Sequence, residues 1–449
     1  MMPSLVRLGV ILVPIVTLLS SAALFLRIQA PSPIGQNPFS TMATPQAPIS
    51  EMTVASFNVR YDSSASALSS IRQLLRGGFA PYRSMSDRSY PPEQRYGELH
   101  WAKRVHKVVD TAIFHRWDIF SFQEVLPGQL HDLVGLLDAR TEGLPPISIS
   151  KGRDQSPGEN ASATGNRSHR YDWAGVPRND GKAKGEAVPV FWRSDKFQRI
   201  GASQGGTGNE GVEHFWLSPT PEAPGSVGWD ADQTRMCTHV ALQPSSSTGQ
   251  LIHVFSTHYD HLGERARAES SKLILRKARE AVEHTKETTG LDPLVLLMGD
   301  LNSPRHERGW KTLVEGHHGV DRDSQGNGFT FFDGALSVPT RFGTPYWPIP
   351  REEKTASWTE SSDGGLLSEP YGPQTTFTDF QKSQKTAEDD RIDFIMYADN
   401  SAVKDHTEPS ESRQRWQIIT FGTIPSWSEG DAGFQISDHR PIQVTLSWQ

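Results

Sequence analysis

Five short apolar runs, spread over more than three hundred residues, each lead into a side chain that binds metal ions or phosphate. This pattern constrains the fold more than any other feature of the chain. Val54-Ala55-Ser56-Phe57 precedes Asn58, Phe120-Ser121-Phe122-Gln123 precedes Glu124, and Val254-Phe255-Ser256-Thr257 precedes His258. Leu296-Leu297-Met298-Gly299 precedes Asp300, and Asp393 sits inside Arg391-Ile392-Asp393-Phe394. Runs of this length read as strands. Strand ends along one sheet edge converge, so residues remote in sequence gather there, with a rigid backbone behind each and a loop in front. Adding Asn302 and His439, the set holds carboxylates, amides and imidazoles but no thiol, since Cys237 is the sole cysteine. Hard oxygen donors of this kind favour Mg²⁺ or Mn²⁺ over zinc.

The intervening chain carries helical periodicity. Trp101, Val105, Val108, Val109, Ala112 and Ile113 mark one helix face; Leu130, Leu133, Val134 and Leu137 mark a second. Leu273, Ile274, Ala278, Ala281 and Val282 stripe a third. Strands are predicted at 52–58, 118–122, 188–192, 252–256, 294–298, 392–397, 416–421 and 441–447. Mixed strands and helices with unequal connections predict an α/β fold with at least one large sheet. Two polar stretches, roughly 140–185 and 340–388, read as long loops.

Asp300 and Asn302 are two residues apart, which in extended backbone points both to one side. An aspartate there can orient or deprotonate a water while the amide holds a phosphate oxygen; a turn capping the following helix is the alternative. In Ser437-Asp438-His439-Arg440-Pro441, just before the last strand, an imidazole beside a carboxylate can titrate near neutrality and serve in proton transfer. Asp438 could join a metal site and Asp393 could hold the His439 tautomer; a surface turn is the competing reading. Glu124 with the Asn58 amide would give Mg²⁺ two oxygens. Otherwise it is a first-turn glutamate favoured by the helix dipole. Glu186 could line a cleft, Arg235 and Arg265 could clamp a phosphate, and Tyr346-Trp347-Pro348 could stack a base; for each, ordinary surface packing is the alternative.

Six segments in order resemble the endonuclease/exonuclease/phosphatase superfamily, the deoxyribonuclease I-like fold. They are Ser56-Phe57-Asn58-Val59-Arg60, Phe122-Gln123-Glu124-Val125, Thr257-His258-Tyr259-Asp260-His261, Gly299-Asp300-Leu301-Asn302-Ser303, Arg391-Ile392-Asp393-Phe394-Ile395 and Ser437-Asp438-His439-Arg440-Pro441. The resemblance spans about residues 51–449 and implies a four-layer α/β/β/α sandwich with the site at one end of two sheets. It implies Glu124 as Mg²⁺ ligand with help from Asn58 and Asp438, and His258 and Asn302 as phosphate holders. Asp300 would position or activate the nucleophile, and Asp393 would orient His439. The Gln-Glu and Thr-His pairs look most like the carbon catabolite repressor deadenylase and nocturnin branch. The insert between Asn302 and Arg391 has no assigned counterpart.

Residues 8–26 contain no charge and are flanked by Arg7 and Arg27, which reads as a cleavable signal or a membrane anchor within residues 1–30. Pro31, Pro33, Pro38, Pro45 and Pro48 then mark a linker over 31–50, leaving 51–449 as the folded domain. The sequons at Asn160 and Asn166 fit a glycoprotein of the secretory route. From residue 51 onward, 43 basic residues face 52 acidic ones, so the bulk charge does not fit a protein that wraps duplex nucleic acid. Together these features predict a metal-dependent phosphoester hydrolase, a phosphodiesterase or 3′-5′ exoribonuclease acting on RNA or single-stranded nucleic acid by in-line water attack. A hydrolase of lipid head groups or small phosphate esters is the rival, and a non-catalytic binding module the third reading. No protein partner is inferred.

Overall fold

Alternation along the strands decides how the chain layers. In the computed structural model, described for residues 49–62, 98–141, 170–200, 210–246, 249–316, 329–338, 370–380, 391–399, 415–425 and 434–448, the elements follow in chain order. They begin β1 (Glu51–Asn58), α1 (Trp101–Phe114), β2 (Ile119–Gln123), α2 (Pro127–Thr141), β3 (Tyr171–Ala174), β4 (Val190–Arg193), β5 (Phe197–Arg199), β6 (Val212–Trp216) and β7 (Met236–Pro244). There follow β8 (Ile252–His258), α3 (Glu264–Thr289), β9 (Leu294–Asp300), α4 (Arg308–Glu315), β10 (Phe332–Asp333), β11 (Asp393–Asp399), β12 (Trp416–Thr423) and β13 (Ile442–Trp448).

Two sheets result, in the orders β12-β13-β1-β2-β4-β3 and β10-β11-β9-β8-β7-β5, with β6 pairing onto β7. Met52 and Val54 of β1 pack with Val254, Leu296, Met298 and Ile395 of the second sheet, forming the layer between the sheets. The alternate positions Ala55 and Phe57 pack instead with Val105, Val108, Leu130 and Leu133 of α1 and α2. On the far side, Phe255, Val295 and Leu297 pack with Leu273, Ile274 and Ala278 of α3. Helix, sheet, sheet and helix therefore form four layers, and each fully buried Val or Leu contributes about 1.5–3 kcal/mol. Strands covered on both faces read as unbroken apolar runs, which is why most were visible in the sequence.

β7, an inner strand of the second sheet, was not. Thr238 and His239 break its apolar run, yet both are buried. β3 lies inside the polar stretch 140–185, which is therefore not all loop, and α4 lies in the insert after Asn302. The fourth strand starts at Val190 rather than 188: Ala187 makes only isolated bridges, to Val125 and Pro177, and Pro189 has no N–H for the ladder.

The chain divides by contacts into Met1–Thr44 and Pro45–Gln449, and every described residue belongs to the second unit. The run 8–26, the Pro31–Pro45 prolines with Pro48, both sequons and Tyr346-Trp347-Pro348 lie outside the described residues. Among the described residues, no helix is long and apolar enough to cross a membrane.

Candidate active site

The inter-sheet rows end in polar residues. Met52, Val54, Ser56 and Asn58 follow one face of β1; Ile252, Val254, Ser256 and His258 follow one face of β8; Leu294, Leu296, Met298 and Asp300 follow one face of β9. The apolar members belong to the layer between the sheets, so period two carries the terminal Asn58, His258 and Asp300 into the same gap. Register then makes neighbours of them. Asp300 stands opposite His258 on parallel β8 and opposite Asp393 on antiparallel β11.

Asn58 is the centre of the cluster. Its Nδ2 donates to Glu124 Oε1 (2.9 Å) and Asp300 Oδ2 (3.0 Å), and lies 3.4 Å from His439 Nε2. Its Oδ1 accepts the Arg60 backbone N–H at 3.0 Å. That oxygen keeps a second lone pair, as the ligand role expected for Asn58 requires, while the amide nitrogen spaces two carboxylates. Glu124 Oε2 accepts from the Tyr61 backbone N–H at 3.1 Å. Glu124 itself has φ +61°, a left-handed conformation costly for a side chain with Cβ and held here by its surroundings.

His439 Nδ1 and Asp393 Oδ2 are 2.8 Å apart, and His439 Nε2 lies 3.6 Å from Asp300 Oδ2. Burial disfavours the imidazolium, but Asp393 and Asp300 outweigh it and hold the His439 pKa well above its ordinary value. His258 Nε2 is 3.5 Å from Asp300 Oδ2. Burial, reinforced by Arg235 and Arg178, pushes His258 well below its ordinary value, so the two histidines differ in charge. Burial and then Asp393 push the Asp300 carboxyl up to about 7, against the opposing pull of His439 and Asn58.

Asn302 does not point alongside Asp300 from extended backbone. β9 stops at Asp300, Asn302 adopts φ +45°, and its Nδ2 donates to the Tyr259 carbonyl (3.1 Å) while its N–H caps Asp300 Oδ1 (2.9 Å). The backbone turns here instead of continuing as strand, and the Asn302 backbone N–H positions Asp300. Gly299 has φ +148°, and a Cβ there would sit 1.9 Å from the Thr257 carbonyl oxygen; only glycine lets β9 approach β8 this closely. Asp438 faces Ser437 Oγ (3.2 Å) and Arg60 (3.6 Å) and enters neither potential ligand cluster.

Several contributors were not legible in sequence. Arg104 of α1, fully buried, donates to the carbonyls of Val59 (2.6 Å), Ile436 (3.0 Å) and Arg60 (3.2 Å), tying the Asn58 and His439 loops together. Thr376 Oγ1 accepts from the N–H groups of Ile392 and Asp393, and Phe377 lies 5.1 Å from the His439 ring. The segment 370–380 thus straps the site, although it fell in a stretch read as loop. Glu186 and Arg235 do line a pocket with Glu124 and His258. Arg265 is exposed on the first turn of α3 and is not among that pocket's lining residues.

The residues present fit a divalent cation. Ligand atoms of Glu124, His258 and Asp300 all lie within 4.8 Å of one another, as do those of Asp300, Asp393 and His439. The first group is the accessible one: Glu124 and His258 line the pocket, whereas Asp393 is fully buried and committed to His439. Two carboxylates converging on one amide NH2 group, with Asp300 pushed towards its neutral form, form a donor set that a hard cation would relieve.

No family model and no curated protein matches the sequence. Solved structures do. An endonuclease/exonuclease/phosphatase from Bacteroides vulgatus shares 22% identity over 89% of this chain and 99% of its own, with a TM-score of 0.53. A family protein of the same description from Bacteroides thetaiotaomicron shares 23% identity over 89% and 98%, with a TM-score of 0.51. A mannosyl-6-phosphatase from Bacteroides thetaiotaomicron shares 24% identity over 88% and 99%, also with a TM-score of 0.51. At these identities the likeness concerns the fold: this chain has the α/β/β/α architecture of the endonuclease/exonuclease/phosphatase proteins.

Proposed function

We propose that this chain is a divalent-metal-dependent phosphoester hydrolase that uses water as the in-line nucleophile. The observation that supports it is the convergence of Glu124, His258, Asp300 and the Asp393–His439 pair, from five separate segments, at one end of the gap between the sheets. Glu124 would hold the cation, with Asp300 and His258 within reach. When bound, the cation supplies charge neutralisation on the phosphate oxygens. Asp300 as a carboxylate takes a proton from the attacking water, a role suited to a group that titrates near 7. His439, kept as imidazolium by Asp393, presents Nε2–H to a non-bridging oxygen where negative charge builds up. His258, neutral, offers its ring nitrogen beside Asp300. Asn302 and Asn58 hold the Asp300 carboxylate still by N–H donation.

Among substrates, the acidic balance of 43 to 52 beyond residue 50 favours a small phosphate ester over a long nucleic acid strand; the mannosyl-6-phosphatase of the same fold acts on a substrate of that class by its name. The test is hydrolysis by the purified chain with Mg²⁺ or Mn²⁺ of sugar phosphates, phospholipids, RNA and DNA, with and without chelator. Cleavage of small esters that stops with chelator is the expected result. Preference for a polymer with steep loss in salt restores the nuclease reading, and full activity in His439→Ala overturns the site.

A further inference from the structure

Beside Glu124 and His258, the same pocket is lined by Arg178, Glu186 and Arg235. Arg235 is 5% exposed, and its Nε and Nη1 are buried without a hydrogen-bond partner. The carboxylate nearest Arg235 Nε, Asp260, lies 3.6 Å away, and already accepts backbone N–H groups of Gln233, Leu262 and Gly263 at 3.1, 3.1 and 2.8 Å. Arg178 pairs with Glu186 at 2.9 Å and bonds Gln233, yet its Nε is also buried and unpaired. Arg235 Nη2 lies 3.4 Å from His261 Nδ1, so three guanidinium nitrogens of the two arginines stay without a hydrogen bond in a pocket that the candidate metal-binding Glu124 also lines. Arg178 has Glu186 as its anion, but Arg235 has no hydrogen-bonded carboxylate, an expensive arrangement for a buried cation, and the matching ligand is one that only accepts.

We propose that Arg178 and Arg235 form a second anion subsite, so that the preferred substrate carries a further phosphate or carboxylate close to the scissile phosphate. This identification of the substrate class rests on the hydrolase reading, whereas anion binding by the two arginines stands apart from it. A neutral sugar hydroxyl fits less well, because it must also donate, and Glu186 Oε2 is engaged by Arg178. The wall is preorganised: Arg178 N–H donates to the Glu186 carbonyl, and Asp180 Oδ1 accepts from Lys182, Ala183 and Lys184 to close the intervening turn.

The test uses the full chain and its Arg235→Gln, Arg235→Lys and Arg178→Gln variants. Hydrolysis with Mg²⁺ is compared for phenyl phosphate (one anion), fructose bisphosphate (a second phosphate) and phosphoglycolate (a carboxylate). Binding of inorganic sulfate to the chelator-treated protein is measured by calorimetry. The expected result is that kcat/KM for a doubly anionic substrate relative to phenyl phosphate falls about 10- to 100-fold in Arg235→Gln, mainly through KM. Arg235→Lys should recover part of it, and sulfate should bind at least about tenfold more weakly to Arg235→Gln. Which doubly anionic ester shows the larger drop separates phosphate from carboxylate. An unchanged ratio in a folded variant, or unchanged sulfate affinity, overturns the subsite. If the wild type hydrolyses none of the esters, the hydrolase reading fails and the sulfate titration alone decides. If Arg235→Gln does not fold, Arg178→Gln and Arg235→Lys are read in its place.

Discussion

His439 and Asp393 lie 46 residues apart in the chain, yet their Nδ1 and Oδ2 atoms meet at 2.8 Å with both side chains buried. Asp393 comes from the start of an antiparallel strand and His439 from the loop before β13, so the pair ties the two sheets together at the site. Its electrostatic effect is to keep the ring charged. His439→Ala is expected to lower turnover by about 10²–10⁴-fold, the usual worth of a positioned proton donor. Asp393→Asn removes the largest interaction that raises the His439 pKa, so the imidazolium is lost at lower pH. The alkaline limb of the pH–rate profile should move down by at least one unit, on the order expected for losing a paired charge. An unmoved limb would show that His439 acts without its partner.

Asp300 carries a stability penalty. Its folded pKa, about 7, lies above the ordinary 3.8, so the folded state binds the extra proton between those values. Stability from this group is full below about 4 and is lost as pH rises through about 7. Asp300→Asn should therefore abolish hydrolysis while raising the melting temperature of the chelator-treated protein at pH ~8 by a few degrees. Melting curves at pH ~5 and ~8 check the sign, because the gain should shrink at the lower pH.

Glu124→Gln should weaken Mn²⁺ binding by at least about tenfold, since a neutral amide replaces the hard anionic donor in the accessible cluster. Asn58→Ala should weaken it by about 10–100-fold through loss of the amide that supports both carboxylates. Calorimetric titration of Mn²⁺ into each variant measures both. Retained affinity in Glu124→Gln would move the cation away from this cluster.

Gly299→Ala should destabilise the fold by about 3–5 kcal/mol, the range of a severe core lesion. The backbone there has φ +148°, and the added methyl would overlap the Thr257 carbonyl. Because Gly299 directly precedes Asp300, the surviving folded fraction should also lose activity. Urea unfolding with parallel assays reads both effects.

A buried, hydrogen-bonded histidine pair predicts acid sensitivity away from the site. His239 Nε2 lies 2.9 Å from His253 Nδ1, and His253 Nε2 lies 2.8 Å from Thr285 Oγ1 of α3. Burial, then His239, lowers His253 to about 3, and burial lowers His214 to about 4. Both bind protons more tightly when unfolded, so stability is present above about 6.5 and falls as pH drops towards 4, by up to about 1.4 kcal/mol per pH unit for each. In His253→Gln the slope should lessen by about one proton's worth between pH ~6 and ~4.5, read from urea midpoints across pH.

Which residues could act was largely written into local pattern. Asn58, Glu124, His258, Asp300 and Asp393 each close or begin a buried run, and a period of two assigns each run its strand and its face without knowledge of the rest of the chain. What these residues do to one another was decided only in three dimensions. Register set Asp300 between His258 and Asp393, the capping of Asp300 turned Asn302 out of the extended conformation, and the Asn58 amide nitrogen came to bridge Glu124 and Asp300. β7 escaped notice because Thr238 and His239 are polar groups that only a neighbouring strand and helix can bury. Arg104 and Arg178 look like any solvated arginine until the fold encloses them, and only the fold places Arg235, and not Arg265, in the pocket. Backbone periodicity is a property of neighbours in sequence, whereas burial, pairing and charge state depend on partners tens to hundreds of residues away.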